Sequence, residues 1–450
     1  MIKMASRMAW PGELVLFFVA CGPTAETSNA SGPGDDPGGR CQGGQAEVLT
    51  DFSLSSSDGN HGAPGIRVAA TQSATWMATA GEETRYLISV DRMGEATQLD
   101  VLPKEFIRKE ILIAAAPDGT LHVMADATQE PDFSGGLMHM SDKTGWVPSI
   151  VYDGPVMVPV VDIDVAADGT PSVWFEGVTP GMGRATPAGD GWSIEPVVVT
   201  SSWTHFALTT DGAPLVAAMG NDSQLSVLVD GQRRPLGRPI TGDAYSEYVL
   251  SPAPPGPDPD GPRYAVALQD TDNVRVAWPV AEGYEESAIP GSAVFAEDCR
   301  FGSIPPCAEP CHDRGGGVEP GAVAFARTAD GTGWLAFVET RLEQQVSFKE
   351  TCSDPRNCYC AKTVEADAST AVLHLFRVPF DGAPACEALT LPTQRLALRS
   401  LFSGVAGDAS RAIDMRAHGA ELALGLRTQS SEDGERTVRL LRIDTAPASP

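Results

Sequence analysis

Nine cysteines and a few charged or imidazole side chains are the residues through which this chain could do chemistry. Six of the cysteines are crowded into two stretches, Cys299, Cys307 and Cys311 in one and Cys352, Cys358 and Cys360 in the other. Cys21, Cys41 and Cys386 stand apart. The spacing of Cys307 from Cys311-His312 is one residue too long for a c-type haem attachment site. Zinc would use the same thiolates. Setting Cys21 aside, however, leaves an even eight, which is the arithmetic of disulfides in an exported protein. Disulfides are therefore expected among Cys41, Cys299, Cys307, Cys311, Cys352, Cys358, Cys360 and Cys386. The pairing stays open, except that Cys358 and Cys360 are too close in sequence to pair with each other and Cys41 is placed to reach Cys386. No metal site and no cofactor is expected; Asp258-Pro259-Asp260-Gly261 lacks the ligand register of a calcium loop.

Catalytic signatures are missing. His-Glu-x-x-His, Gly-x-Ser-x-Gly, the P-loop and the dinucleotide fingerprint do not occur. Of the seven histidines, His122 and His374 lie in alternating segments and read as ordinary strand residues. What remains is a question of convergence. Asp162, Asp164, His205 and Asp414 would supply acid–base or electrostatic groups only if the fold gathered them at one point.

The elements that must position these residues repeat. An apolar, β-branched-rich run, then Asp-Gly, then a second apolar run occurs around Asp118-Gly119, Asp168-Gly169, Asp211-Gly212 and Asp330-Gly331. Two alternating strands about such a turn predict a β-hairpin. Seven units carry the pattern or a degenerate form of it: about 62–105, 106–155, 156–200, 201–242, 243–292, 318–393 and 408–446. Gly145-Trp146 and Gly191-Trp192 precede outer strands in two of them, with Gly283-Tyr284 at the equivalent place in a third.

This repeat resembles that of bacterial β-propeller proteins with degenerate blades. The resemblance implies an all-β fold, a seven-bladed propeller (six or eight blades being the alternatives) of four-stranded antiparallel blades. In that architecture the first strand of each blade lines the axis, and the Asp-Gly hairpins share one face. The two Cys-rich insertions, 293–317 and 341–370, are read as long loops without secondary structure. They would project from the opposite face, above the sixth blade. Candidate binding residues there are His312, Arg314, Asp354, Arg356 and Tyr359, joined near the axis by Trp203, His205, Asp162 and Asp164. No catalytic residue is assigned.

The N-terminus carries an address. Lys3 and Arg7 precede an apolar stretch from Leu14 to Ala20, and Phe18-Val19-Ala20-Cys21 resembles the lipobox of bacterial lipoproteins. The resemblance implies a signal peptide over 1–21, acylation of Cys21 and, from Gly22, sorting to the outer membrane. Residues 22–61 then read as a flexible Gly/Ser/Pro-rich tether and 62–450 as the propeller. A net charge of −27 disfavours nucleic acid and anionic lipid surfaces. Membrane contact is expected only through the lipid anchor. The functional expectation is an exported, monomeric binding or scaffolding module at the cell envelope, its partner an unidentified envelope protein or glycan. The alternative is an extracellular lyase or hydrolase acting on a polysaccharide.

Overall fold

The structure is a computed structural model. It describes Cys41 and residues 46–445, except 57–65, 81–84, 100–110, 127–135, 154–161, 177–181, 198–203, 210–211, 220–223, 230–231, 240–247, 253–262, 270–272, 294–295, 298–304, 355–356, 368, 397–411 and 430–435. Contacts divide the chain into Met1–Asp36, which lies outside the described residues, and Pro37–Pro450, which holds everything below. The segment read as a signal peptide, with Cys21, therefore falls outside the described residues, as do Cys299, Trp203 and Arg356.

Blade three shows how the sequence makes a blade. Its strands are Asp162–Val165, Pro171–Glu176, Met182–Ala188 and Gly191–Val197, paired antiparallel in chain order. Between the first two, the Ala166 carbonyl accepts from the Gly169 N–H at 2.9 Å, and the Thr170 carbonyl accepts from the Ala166 N–H at 2.9 Å. Asp168 Oδ1 accepts from the Thr170 N–H at 2.9 Å, and Gly169 sits at φ +87°. This is a three-residue loop in which a glycine in the left-handed region closes a tight turn. The backbone bonds and the positive glycine φ recur at Gly119, Gly212 and Gly331. The Asp-to-Thr bond recurs at Asp118 and Asp330. One local rule is thus written into the chain four times.

Four further sheets have the same four-strand antiparallel plan, with first strands Arg67–Ala70, Ile111–Ala115, Thr204–Leu208 and Tyr248–Pro252. A sixth is enlarged around Cys311–Arg327 and Gly333–Asp354. These six blades are each built from consecutive strands. One more sheet is composite: Ile413–His418, Glu421–Gln429 and Arg436–Asp444 are completed by Glu47–Ser56 from the other end of the chain. The first strands contact one another in cyclic order, from blade one through blade six to Ile413–His418 and back to Arg67–Ala70. The sheets therefore close into a ring: the expected all-β propeller of four-stranded antiparallel units.

Closure corrects one boundary. The composition of residues 22–61 places Glu47–Ser56 in a flexible tether, yet it is a strand. Val48, Phe52 and Leu54 turn inward and pack on buried residues of the ring, and Arg439 fixes the pair through Asp51 at 2.6 and 2.9 Å. The packing between blades follows the alternation of side chains. Ile111 and Ile113 face blade one, whereas Leu112 faces blade three beside Ile163 and Phe175. Inner strands covered on both faces need near-continuous apolar runs, which is what the repeats supply.

The Cys-rich insertions need a second correction. They are not bare loops. Cys311–Val318 pairs with Glu339–Val346 beyond the blade proper, and Asn357–Asp367 adds a third strand along Gln344–Asp354. The result is a ribbon whose middle strand pairs first with Cys311–Val318 and then with Asn357–Asp367, the two overlapping at Gln344–Val346. At 3.3 Å per residue its middle strand runs on the order of 40 Å past the blade. Paired backbones satisfy donors and acceptors that an open loop of this length would leave to water.

Candidate functional site

Two places gather the chemistry-bearing residues. The first is the axis. Asp162 and Asp164 alternate on the inner strand of blade three, and Asp414 and Arg416 alternate on Ile413–His418. Arg416 Nη2 lies 3.5 Å from Asp162 Oδ1. Their strands are not neighbours in the ring, because the inner strands of blades one and two stand between them. The contact consequently spans the centre. Burial works against the Arg416 guanidinium, but Asp414, Asp162 and Asp164 outweigh it and push its pKa upward. Burial pushes the Asp164 carboxyl up, against the pull of Arg416 and of two backbone N–H donors.

These carboxylates also fasten blades. Asp164 Oδ2 accepts from the Leu208 N–H of blade four at 2.7 Å. Asp414 Oδ2 accepts from the Val68 N–H of blade one at 2.9 Å. Asp162 Oδ1 accepts from the adjacent Ile163 N–H at 2.9 Å, and both Asp162 and Asp414 are buried. Among the described residues, three carboxylates surround the Arg416 guanidinium and tie the inner strands together. No group of metal-ligating atoms close enough to hold an ion occurs there among the described residues. His205 belongs to the inner strand of blade four, but its side chain lies outside the described residues.

The second place is the ribbon. Cys307–Cys360 ties the first Cys-rich stretch to the second, Cys352–Cys358 clips the tip, and Cys41–Cys386 joins the N-terminal segment to the last strand of blade six, Cys386–Thr393. Cys311 is disulfide-bonded as well. The two insertions thus share one end of one blade, and Cys41 does reach Cys386. His312 and Arg314 are exposed on the first ribbon strand, where Arg314 meets Glu343 at 3.5 Å. Tyr359 is exposed near the tip. His312 lies opposite Gln345 and Tyr359 opposite Thr351, a separation of about 20 Å along the strand. These residues share a long surface and do not converge on a pocket. Asp354 ends the middle strand, and its side chain is not among those described.

Sequence reasoning misses three clusters. Arg416 escapes it although it stands two residues from Asp414; the signal is charge at alternate positions of an otherwise apolar inner strand. His122 and His139 face each other across the second and third strands of blade two, Nδ1 to Nε2 at 2.9 Å, with the Trp192 ring edge-on to His139. Burial, then the neighbouring His122, lowers the His139 pKa to about 4. His374 is clamped between Glu387 at 2.6 Å and Glu339 at 3.3 Å and stacks on Phe337. Burial alone would depress it, but the two glutamates raise its pKa to about 9. Both histidines read as ordinary strand residues are therefore in specific polar contacts.

No protein-family model matches this chain, and no curated protein matches it in sequence. Solved structures are similar to it at low identity. The Swd1 beta-propeller domain of Myceliophteria thermophila aligns at 9% identity over 87% of this chain and 98% of its own, with a TM-score of 0.41. TolB of Acinetobacter baumannii aligns at 14% identity, covering 55% of this chain and 63% of TolB, with a TM-score of 0.36. The polysaccharide lyase Uly1 aligns at 9% identity over 93% of this chain and 94% of its own, with a TM-score of 0.35. The class of the molecule, a β-propeller, rests on its own sheet order and ring closure.

Proposed function

We propose that this protein is an exported, lipid-anchored propeller of seven blades, the composite sheet being the seventh, and that it works as a binding or scaffolding module at the cell envelope. The single observation that carries the binding role is the cystine-braced ribbon on blade six, with Arg314, His312 and Tyr359 on its surface. A ribbon stiffened beforehand loses little freedom when a partner docks, so its contacts are spent on affinity rather than on ordering. The lipobox-like Phe18-Val19-Ala20-Cys21 supports the address. The partner class is an envelope protein or glycan.

The test uses the full chain expressed in a bacterium, fractionated and weighed intact. Wild type is expected in the membrane fraction with an acyl mass on Cys21, and Cys21→Ser in the soluble fraction; soluble, unacylated wild type would defeat the anchor. For binding, wild type is titrated against purified envelope glycans and outer-membrane proteins. The paired variant Arg314→Ala/Tyr359→Ala should weaken saturable binding by about tenfold, roughly the loss of one good anchor. Unchanged binding would contradict the assignment of the ribbon.

One observation favours a second reading, a lyase or hydrolase acting on a polysaccharide: charged groups from opposite sides of the ring do meet at the axis. Against it, Asp164 and Asp414 each hold the backbone of a neighbouring blade. Polysaccharide cleavage by wild type that is abolished in a folded Asp164→Asn variant would make the enzyme reading the better one.

A further inference from the structure

The disulfide at the ribbon tip differs from the other two whose partners are described. Cys352 is exposed and Cys358 partly covered, whereas in the Cys307–Cys360 pair Cys307 is partly covered and Cys360 buried, and both Cys41 and Cys386 are partly covered. It spans 6 positions of sequence, against 53 and 345. Cys352 and Cys358 sit directly opposite each other on paired strands, and that pairing continues below them through Thr351–Tyr359, Glu350–Cys360 and Lys349–Ala361. Breaking the tip bond would leave those strands paired and the Cys307–Cys360 clamp in place.

A third side chain completes the arrangement. Glu350 lies on the same strand two residues before Cys352, with Oε1 at 3.7 Å from Cys352 Sγ. One ligand atom from each of Glu350, Cys352 and Cys358 falls within 4.8 Å of the others, and this is the one such set of three among the described residues. Once the disulfide is reduced, two thiolates and a carboxylate would form a donor set for a thiophilic divalent cation, with water as the fourth ligand. While the sulfurs are bonded to each other they are poor donors, so the oxidised tip excludes the ion.

We propose that Cys352–Cys358 is a reversible redox site, and that its dithiol form binds a zinc-class cation together with Glu350. The chemistry balances with a dithiol as the reductant. One thiolate of the reductant attacks a tip sulfur, the Cys352–Cys358 bond breaks, and its electron pair leaves on the other sulfur, which takes a proton. The second thiol of the reductant then attacks the mixed disulfide, so the reductant departs as a cyclic disulfide and the protein keeps two thiols. Binding of the cation displaces the two thiol protons. The proposal does not depend on the envelope role.

The test treats the full chain with graded dithiothreitol, traps free thiols by alkylation and reads them by peptide mass spectrometry. Cys352 and Cys358 should become labelled at least about tenfold faster than Cys307, Cys360, Cys41 or Cys386, consistent with the preference of exchange for accessible sulfur. The partly reduced protein, freed of reductant, is then titrated with cadmium as a spectroscopic probe for zinc. One equivalent should bind with a thiolate-to-metal ultraviolet band. Cys352→Ser/Cys358→Ser should abolish that band, and Glu350→Gln should weaken binding by about tenfold. The double variant should keep the wild-type unfolding midpoint to within a few degrees, which separates loss of the site from loss of the fold. Equal labelling rates for all the cystines, no cadmium band in the reduced protein, or the same band in the double variant would overturn the proposal.

Discussion

Blades two and three and blade six solve the same problem differently. In blades two and three the strands are short, four to seven residues, and the turns repeat one hydrogen-bond pattern. Each inner strand is sandwiched between neighbours, so burial supplies the stabilisation. Blade six sends a 22-residue strand out of the ring. Past the blade its buried residues are fewer, among them Leu342, Val346 and Cys360, and covalent bonds are added: Cys307–Cys360 along the ribbon and Cys352–Cys358 at its end. Blades two and three are held by packing alone among the described residues, whereas the extension of blade six adds two cystines to its packing.

The contrast can be broken most severely at the seam. Cys41→Ser/Cys386→Ser removes a crosslink between positions 345 apart, and the chain-entropy estimate puts the loss near 6 kcal/mol, against roughly 2 kcal/mol for the tip pair. Denaturant unfolding of both double variants checks that ordering. Next comes the axis. Arg416→Met leaves Asp162, Asp164 and Asp414 without their common cation, and removing one partner of such a network costs about 3 kcal/mol or more. The loss should shrink at acid pH, where the aspartates are protonated.

A steric test follows. Gly425 lies where a Cβ would meet Val68 Cγ1 at 2.6 Å and Ile66 Cδ1 at 2.7 Å. Gly425→Ala should therefore lower stability by about 1–3 kcal/mol, read as a drop in unfolding midpoint. Gly191→Ala is the control, because a Cβ there meets no atom within 4 Å.

The smallest expected effects set the two regions against each other by pH. His139 between blades two and three has a folded pKa near 4, below its ordinary value of 6.5. Its neutral form is the one the fold accommodates, so its contribution is full above about pH 6.5 and is lost as pH falls toward 4. His374 in blade six has a folded pKa near 9, above 6.5. Its contribution is full below about pH 6.5 and is lost as pH rises toward 9. Each is worth roughly 2 kcal/mol after allowing for partial solvent screening. Unfolding followed across pH should show His139→Gln flattening the acid limb and His374→Gln flattening the alkaline one.

Sequence reading reaches the hairpins because their cause is local. Asp168, Gly169 and Thr170 fold one another, and the same triplet logic holds at Asp118 and Asp330. It misses Glu47–Ser56 because the short alternation of Val48, Phe52 and Leu54 sits in a Gly/Ser-rich stretch and the strand's partners lie far off in sequence, near residue 440. It takes the insertions for loops because their cysteines and prolines draw the eye from the alternation; Leu342, Gln344 and Val346 are buried on the strand, while Arg341 and Glu343 are exposed. At the axis it finds Asp162, Asp164 and Asp414 but not Arg416. Nor can it pair His122 with His139, because the strand register that sets them diagonally across from each other depends on the loop between them.

The central claim is that the chain closes on itself, bringing its N-terminal segment onto blade six and both Cys-rich stretches to one end of that blade. Peptide mass spectrometry of the unreduced, proteolysed protein tests this most directly. It should find Cys41 linked to Cys386 and Cys307 linked to Cys360. Cys41 bonded to any cysteine of the ribbon, or the two Cys-rich stretches each closed only on themselves, would contradict it.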